Sequence, residues 1–227
     1  HNQAALNNIA FKIKEGERLA ILGRSGSGKS TLCKLITGLY PPASGSLLID
    51  NTDIRQIDPA DLRKITGYAP QNSHLFSGTL RYNLAMGAVH ADDGTLMKAL
   101  AMTGLDRQVR EHSMGLDRNV GHGGDALSAG EKQAVCIARS LVSAKNMLLF
   151  DEPTAFMDNV AEQVFIKNMQ NKLNMEAGKT TFILITQKFA PLKLVERIIV
   201  INNGLIIADG PRDEILQALN DGSLKKK

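Results

Sequence analysis

Gly23-Arg24-Ser25-Gly26-Ser27-Gly28-Lys29-Ser30-Thr31 fits the spacing G-x-x-x-x-G-K-[ST] at every required position. Glycines so placed let the backbone curl until successive N–H groups converge on an anion, and a helix opening behind them adds the partial positive charge of its N-terminus. The implied chemistry is recognition of a nucleoside triphosphate, with Lys29 on the terminal phosphates and Ser30 on a magnesium ion. Two acids, Asp151 and Glu152, follow directly on the apolar run Met147–Phe150. Ligands of open α/β sheets sit beyond the carboxyl ends of the strands, so Asp151 is placed to reach the metal ion at Ser30 and Glu152 to polarise an attacking water. A third stretch, Leu127-Ser128-Ala129-Gly130-Glu131-Lys132-Gln133, opens a helix after the glycine-rich Gly121–Asp125. Ser128 with Glu131 three residues on satisfies the capping-box pattern, and alone reads as an ordinary cap. It is also a second exposed helix N-terminus able to bind phosphate.

Strands and helices alternate around these residues. Arg18–Leu22 is predicted as the short buried strand feeding the loop, and a helix runs from the loop to about Gly38. Leu6–Ile13 reads as a strand, with Ile9, Phe11 and Ile13 in strict alternation. Further strands are predicted at Ser46–Ile49 (turned by Asp50-Asn51), Thr66–Ala69, Lys145–Phe150 and Thr180–Thr186. Arg197–Ile201 and Leu205–Asp209 form a hairpin with Asn203-Gly204 at its tip. Helices are predicted over Pro59–Arg63, Ser128–Val142, Val160–Leu173 and Asp213–Leu219. Between about Asn72 and Asn119 the sequence is poor in β-branched residues, and Leu96, Ala99, Leu100 and Met102 recur at helical spacing as packing positions. The expected fold is α/β: a P-loop NTPase core with a mostly parallel sheet, an N-terminal antiparallel β part and an inserted helical lobe. One domain is expected, with a RecA-like core over about residues 1–71 and 146–227 and a helical lobe over about 72–145.

Composition narrows the class. The 227 residues are 43% apolar, enough for a sizeable core, and lack Trp. The 27 basic and 23 acidic residues leave +4, three of the lysines being Lys225-Lys226-Lys227, a tail expected to be disordered. Nothing in that balance demands a nucleic-acid partner. Cys33 and Cys136 lie in apolar helical patterns without CxxC spacing, so they read as reduced, buried thiols of a cytosolic protein rather than metal ligands. No apolar run approaches the roughly 20 residues a spanning helix needs, and no signal peptide is recognisable. The chain begins at His1 in mid-pattern, as expected of a piece of something longer.

The loop at Gly23–Thr31, then Gln71, then Leu127-Ser128-Ala129-Gly130-Glu131 just ahead of Phe150-Asp151-Glu152-Pro153, resembles the nucleotide-binding domain of an ABC transporter over nearly the whole chain. Only the adenine-stacking aromatic falls outside it, upstream of His1. The resemblance implies ATP and Mg²⁺ as ligands. It makes Gln71 the glutamine that senses the magnesium site and links the two lobes. It makes Ser128, Ala129 and Gly130 the signature motif that contacts the γ-phosphate bound by a partner domain, and Asp158 the aspartate of the D-loop at a dimer interface. Asp53–Arg63, Leu75-Phe76 before Gly78-Thr79-Leu80, and Asp209-Gly210-Pro211 resemble exporter-type domains, with the type I secretion ATPases of Gram-negative bacteria as the nearest subgroup. What this implies is an ATPase motor for export of a protein or peptide. Its partners would be a second nucleotide-binding domain, identical or not, and a transmembrane domain, at the cytoplasmic face of the inner membrane.

Three features depart from the family pattern. The signature reads Ser-Ala-Gly-Glu-Lys where Ser-Gly-Gly-Gln-Arg is usual, which adds a methyl at Ala129 and a negative charge at Glu131. His122 replaces the usual Glu of the connector to the membrane domain, and Gln187 occupies the switch-histidine position. Gln can hydrogen-bond a γ-phosphate but cannot take a proton. Slow but real hydrolysis is therefore expected. The alternatives are a weakly hydrolytic half-site of a heterodimeric exporter and, from another class, a soluble ABC ATPase acting on nucleic acid. The mild charge and the lack of a tandem second domain oppose the latter.

Overall fold

The computed structural model describes residues 5–142 and 145–223. The lysine tail Lys225–Lys227 lies outside the described residues. The chain forms two compact units. The first takes in the described residues up to Gly67, then Asn146–Asp151 and those from Gly178 on; the second takes in Tyr68–Lys145 and Glu152–Ala177.

In the first unit a six-stranded sheet has the order β4-β5-β6-β1-β7-β8. Its strands are β1 Arg18–Leu22, β4 Thr66–Ala69 (of which Thr66 and Gly67 belong to this unit), β5 Met147–Asp151, β6 Thr181–Ile185, β7 Arg197–Asn202 and β8 Leu205–Pro211. The pairs β1/β6, β1/β7 and β5/β6 are parallel, while β7/β8 is an antiparallel hairpin. Leu19–Ile21, Leu148–Phe150, Phe182–Ile185 and Ile198–Ile201 are all buried. They therefore read as continuous apolar runs rather than alternating ones, the pattern of strands covered on both faces. Phe150 and Phe182 sit on one face and meet edge to face, centroids 5.5 Å apart at 88°. The register pairs Ile21 with Ile185, Asp151 with Ile185 and Leu22 with Val200. The carboxyl ends of β1, β5 and β6 thus come level, and Gly23, Glu152 and Thr186 leave the sheet along one edge.

Helix α1, Lys29–Ile36, returns from that edge with Leu32, Cys33 and Ile36 buried at helical spacing. Helix α2, Pro59–Ile65, starts on Asp58, whose carboxylate accepts the Ala60 N–H at 2.6 Å, with Pro59 in the first turn where no N–H is needed. Helix α8, Arg212–Asn220, follows β8. A small hairpin, β2 Leu48–Ile49 with β3 Thr52–Asp53, supplies the antiparallel β part ahead of α2. Asp50 and Asn51 both take positive φ, 49° and 64°, as a type I′ hairpin turn requires.

Leu6–Ile13, expected as a strand, joins no ladder, and the strand expected at Ser46–Ile49 shrinks to Leu48–Ile49. The alternation at Leu6–Ile13 is nevertheless real: Ile9, Phe11 and Ile13 are half-buried while Ala10, Lys12 and Lys14 are exposed. Period two reports which side of an extended chain is covered; a strand also needs a neighbour in register. Instead the segment is tied at separate points. Asn7 N–H donates to the Gly204 carbonyl at 2.8 Å, and the Arg197 guanidinium donates to the Lys12 carbonyl at 2.8 Å while pairing with Glu17 and Asp209.

The second unit is helical: α3 Leu80–Ala85, α4 Asp93–Thr103, α5 Asp106–Glu111, α6 Ala129–Leu141 and α7 Asn159–Met175. Its core gathers Leu80, Leu84, Leu96, Ala99, Leu100, Val135 and Cys136, so Leu96, Ala99 and Leu100 of the predicted stripe are packing, while Met102 is half-buried. Asn83, fully buried, bonds both the N–H and the carbonyl of Phe76 and fixes the approach to α3. Asn168 on α7 donates to the Ala101 carbonyl at 2.9 Å near the end of α4. Among the described residues no helix is long and apolar enough to cross a membrane.

The β7/β8 turn is also a brace for the first loop. Gly204 N–H donates to the Ser27 carbonyl at 3.2 Å, and Gly204 itself sits at φ 75°. A Cβ there would lie 2.8 Å from the Ala5 carbonyl oxygen. Gly204→Ala is expected to cost about 1–3 kcal/mol of stability through this combination of φ and contact. Urea unfolding reads the cost as a lowered midpoint at unchanged slope; an unshifted midpoint would remove the bracing role.

Candidate functional site

The first unit assembles the phosphate loop. Strand β1 is buried and delivers Gly23 to the carboxyl edge, where a Cβ would lie 2.3 Å from the Ile201 carbonyl oxygen, so β7 approaches too closely for any side chain. Arg24, Ser25 and Gly26 are exposed and Thr31 is half-buried in the first turn of α1. Gly28, at φ 102°, is the N-cap of α1 and offers no side chain to the first N–H groups of the helix. Those donors point into the loop together with the helix dipole. Lys29 is buried to 7% exposure, and its ammonium donates to the carbonyls of Gly23 at 2.7 Å and Arg24 at 2.9 Å. The lysine charge therefore curls back over the loop. The Ser27 hydroxyl is buried and finds no hydrogen-bond partner among the described residues.

Ser30 closes the group by donating its hydroxyl to Asp151 Oδ2 at 3.1 Å. Asp151 is 3% exposed at the end of β5. A hydroxyl and a carboxylate at this separation are a hard-oxygen pair of the kind magnesium takes beside phosphate oxygens. A glycine-rich loop, an orphaned buried hydroxyl at Ser27 and this oxygen pair fit a magnesium–triphosphate. Next to them burial pushes the Cys33 thiol well up; the Asp151 charge adds to that, Lys29 opposes it, and Cys33 stays a protonated packing residue. Gln187, exposed just after β6, lines with Gly23, Arg24, Phe189, Ile201 and Leu219 a cavity of about 600 Å³ beside the loop. The first unit thus brings together the loop, Ser30, Asp151 and Gln187.

The second unit holds Gln71, Ser128–Gly130, Glu152 and Asp158. Gln71 is exposed two residues after β4. Asp158 is the N-cap of α7, accepting the Ala161 N–H at 2.7 Å. Ser128 caps α6 in a complete capping box: its hydroxyl accepts the Glu131 N–H at 3.2 Å, and Glu131 accepts the Ser128 N–H at 2.8 Å. The Glu131 carboxylate turns back onto the cap and towards Arg118, 3.5 Å away. Gly130 packs so close to the following turn that a Cβ would lie 2.9 Å from the Phe156 carbonyl oxygen.

Glu152 is buried and adopts φ 50°, a left-handed backbone rarely held by a non-glycine residue and frequent at functional sites. Its carbonyl accepts from Ala155 N–H at 3.1 Å and from the Gln133 side-chain amide at 2.7 Å. Gln133, 1% exposed, also accepts the Phe156 N–H at 3.2 Å. Sequence reasoning gave Gln133 no role. The available signal was a polar residue three positions after Gly130, at the head of the continuous apolar run Ala134–Ala138.

Burial works against the charge of Glu131, but the Ser128 N–H and hydroxyl and the Arg118 guanidinium outweigh it and hold the carboxyl below its ordinary range. A depressed carboxylate stabilises the fold above its unfolded pKa, and that contribution disappears as pH falls through the folded value. Glu131→Ala is therefore expected to cost about 1 kcal/mol at neutral pH by loss of the capping box. Unfolding titrations should show the difference from wild type shrinking as pH falls below about 4; a pH-independent difference would contradict the charged cap.

The chain is 37% identical over 215 residues to the leukotoxin translocation ATP-binding protein LktB of Mannheimia glucosida, covering 95% of this chain and 30% of the relative. It is 34% identical over 217 residues to the mycobactin import ATP-binding/permease protein IrtB of Mycolicibacterium thermoresistibile, covering 96% of this chain and 37% of the relative. A solved structure described as a bacterial Atm1-family ABC exporter with ATP bound superposes with a TM-score of 0.89 at 33% identity, over 95% of this chain and 37% of that one. The chain thus spans about a third of the length of these relatives. A family model described as ABC transporter matches residues 6–155, from ahead of β1 through the phosphate loop, Gln71 and the Ser128 helix cap to Glu152, and by this match, the fold and the site geometry the chain belongs to the ABC transporter family.

Proposed function

We propose that this chain binds and hydrolyses Mg-ATP as the motor domain of an ABC exporter for a protein or peptide. In this reading it works with a second nucleotide-binding domain and a transmembrane domain at the cytoplasmic face of the membrane. The observation that carries the reading is the joining of Lys29, Ser30 and Asp151 around a glycine-rich loop at the carboxyl edge of a parallel sheet. The protein-export part is supported by the 37% identity to LktB. Exposed Phe76, Tyr82, Met86 and Val89 on the helical unit support a membrane-domain partner there.

In this mechanism the loop N–H groups and Lys29 neutralise the β- and γ-phosphates and hold them in line for attack. Ser30 and Asp151 would hold a magnesium ion, which would supply charge neutralisation on the phosphoryl oxygens. Glu152 accepts a proton from the attacking water. Gln71 senses the metal site. Gln187 hydrogen-bonds the γ-phosphate without exchanging a proton, which slows turnover. Ser128, Ala129, Gly130 and Asp158 contact the nucleotide and interface of the partner domain. ATP then holds two domains together through its γ-phosphate, and hydrolysis releases them.

A second reading, a weakly hydrolytic half-site paired with a competent domain, is favoured by Gln187 together with the Ala129 and Glu131 substitutions in the signature. Steady-state ATPase assays separate the two. Glu152→Gln should lower kcat by about 10²–10⁴-fold, the range of a general base, and Gln187→His should raise it. Turnover unchanged by Glu152→Gln would sink the role of Glu152. An unchanged or lowered rate in Gln187→His would mean the site is adapted to Gln. Homodimers that bind ATP without turnover, and turn over once a second domain is supplied, would favour the half-site.

A further inference from the structure

The turn that follows β5 is held from one side by a single side chain. Glu152 needs a left-handed backbone at φ 50°, which a glutamate does not favour on its own. Gln133 donates from Nε2 to the Glu152 carbonyl at 2.7 Å and accepts the Phe156 N–H on Oε1 at 3.2 Å. Only this orientation of the amide satisfies both ends, since a flipped amide would set N–H against N–H and oxygen against oxygen. At 1% exposure no water can substitute easily, so loss of the amide leaves buried backbone groups of the turn without this partner. One helical turn earlier, Gly130 presses its backbone against the Phe156 carbonyl. The first two turns of α6 therefore grip Glu152–Phe156 at both ends, just ahead of Asp158.

We propose that Gln133 is a positioning residue for hydrolysis: through the Glu152 carbonyl and the Phe156 N–H it fixes the direction of the Glu152 carboxylate and ties it to the helix that presents Ser128–Gly130. This rests on the assignment of Glu152 as the base. A shift at the nucleotide bound by a partner, felt at Ser128–Gly130, is thereby passed along α6 to the base of this chain's own site. Gln133 touches neither nucleotide nor water, and acts only through the turn it holds.

The test is a double-mutant cycle in the full-length protein, with Gln133→Met as a side chain of similar volume that makes neither bond. Equilibrium ATP binding and steady-state kcat are measured for wild type, Gln133→Met, Glu152→Gln and the double variant. Gln133→Met should lower kcat by about 10–100-fold, the scale of a 1 Å misplacement of a catalytic group. It should leave ATP affinity within about threefold, since the loss is confined to the transition state. In the Glu152→Gln background the same change should have almost no further effect, because the two act as a unit. Should Gln133→Met fail to fold, Gln133→Leu, which likewise removes both bonds without burying a charge, takes its place and is expected to behave the same way. Full kcat in either folded variant, a loss of ATP affinity equal to the loss of rate, or an additive loss in the double variant would overturn the proposal. If Glu152→Gln alone leaves kcat intact, it is the assignment of Glu152 that fails.

Discussion

The parallel register of β1, β5 and β6 is the constraint on which the rest of the first unit depends. Pairing Ile21 and Asp151 with the same residue, Ile185, brings three strand ends level, so the loop after β1 and the carboxylate at the end of β5 meet without any long-range side-chain scaffold. The Ser30–Asp151 contact is a consequence of that alignment. A one-residue slip of β5 would carry Asp151 out of reach of Ser30 and exchange the side chains between its two covered faces. The continuous apolar burial of Leu148–Phe150 and Phe182–Ile185, with the edge-to-face Phe150–Phe182 pair, opposes such a slip.

The second unit solves a different problem. Its chemistry sits on helix starts and on one tight turn, and each is fixed locally. The Ser128–Glu131 capping box sets the first turn of α6, Asp158 sets the first turn of α7, and Gln133 spans the residues between Glu152 and Phe156. Within the second unit the departures in the signature leave the helix cap intact. Glu131 spends its charge on the Ser128 N–H and Arg118, and the glycine that close packing requires, Gly130, is retained.

Much of this was legible in sequence because the physics there is local. The glycine spacing at Gly23–Lys29, the apolar run ending at Asp151, the Ser128/Glu131 spacing and the Asn203-Gly204 turn each specify a conformation within a few residues, and each is found where expected. Leu6–Ile13 carries strand-like alternation without being a strand, because the alternation describes one covered side and no residue in the segment announces the missing partner strand. Gln133 was passed over because a buried amide bridging residues 19 and 23 positions away leaves no periodic mark. The positive φ of Glu152 was likewise invisible, since nothing in a glutamate advertises a left-handed backbone.

The central claim is that Gly23–Thr31 with Asp151 forms a magnesium–triphosphate site. Equilibrium titration of the protein with ATP and with AMP, with and without Mg²⁺, and again in Asp151→Asn, tests it most directly. The account predicts saturable binding of ATP, far weaker binding of AMP, and an enhancement of ATP affinity by Mg²⁺ that Asp151→Asn largely abolishes. Equal affinity for ATP and AMP, or a magnesium enhancement intact in Asp151→Asn, would contradict it.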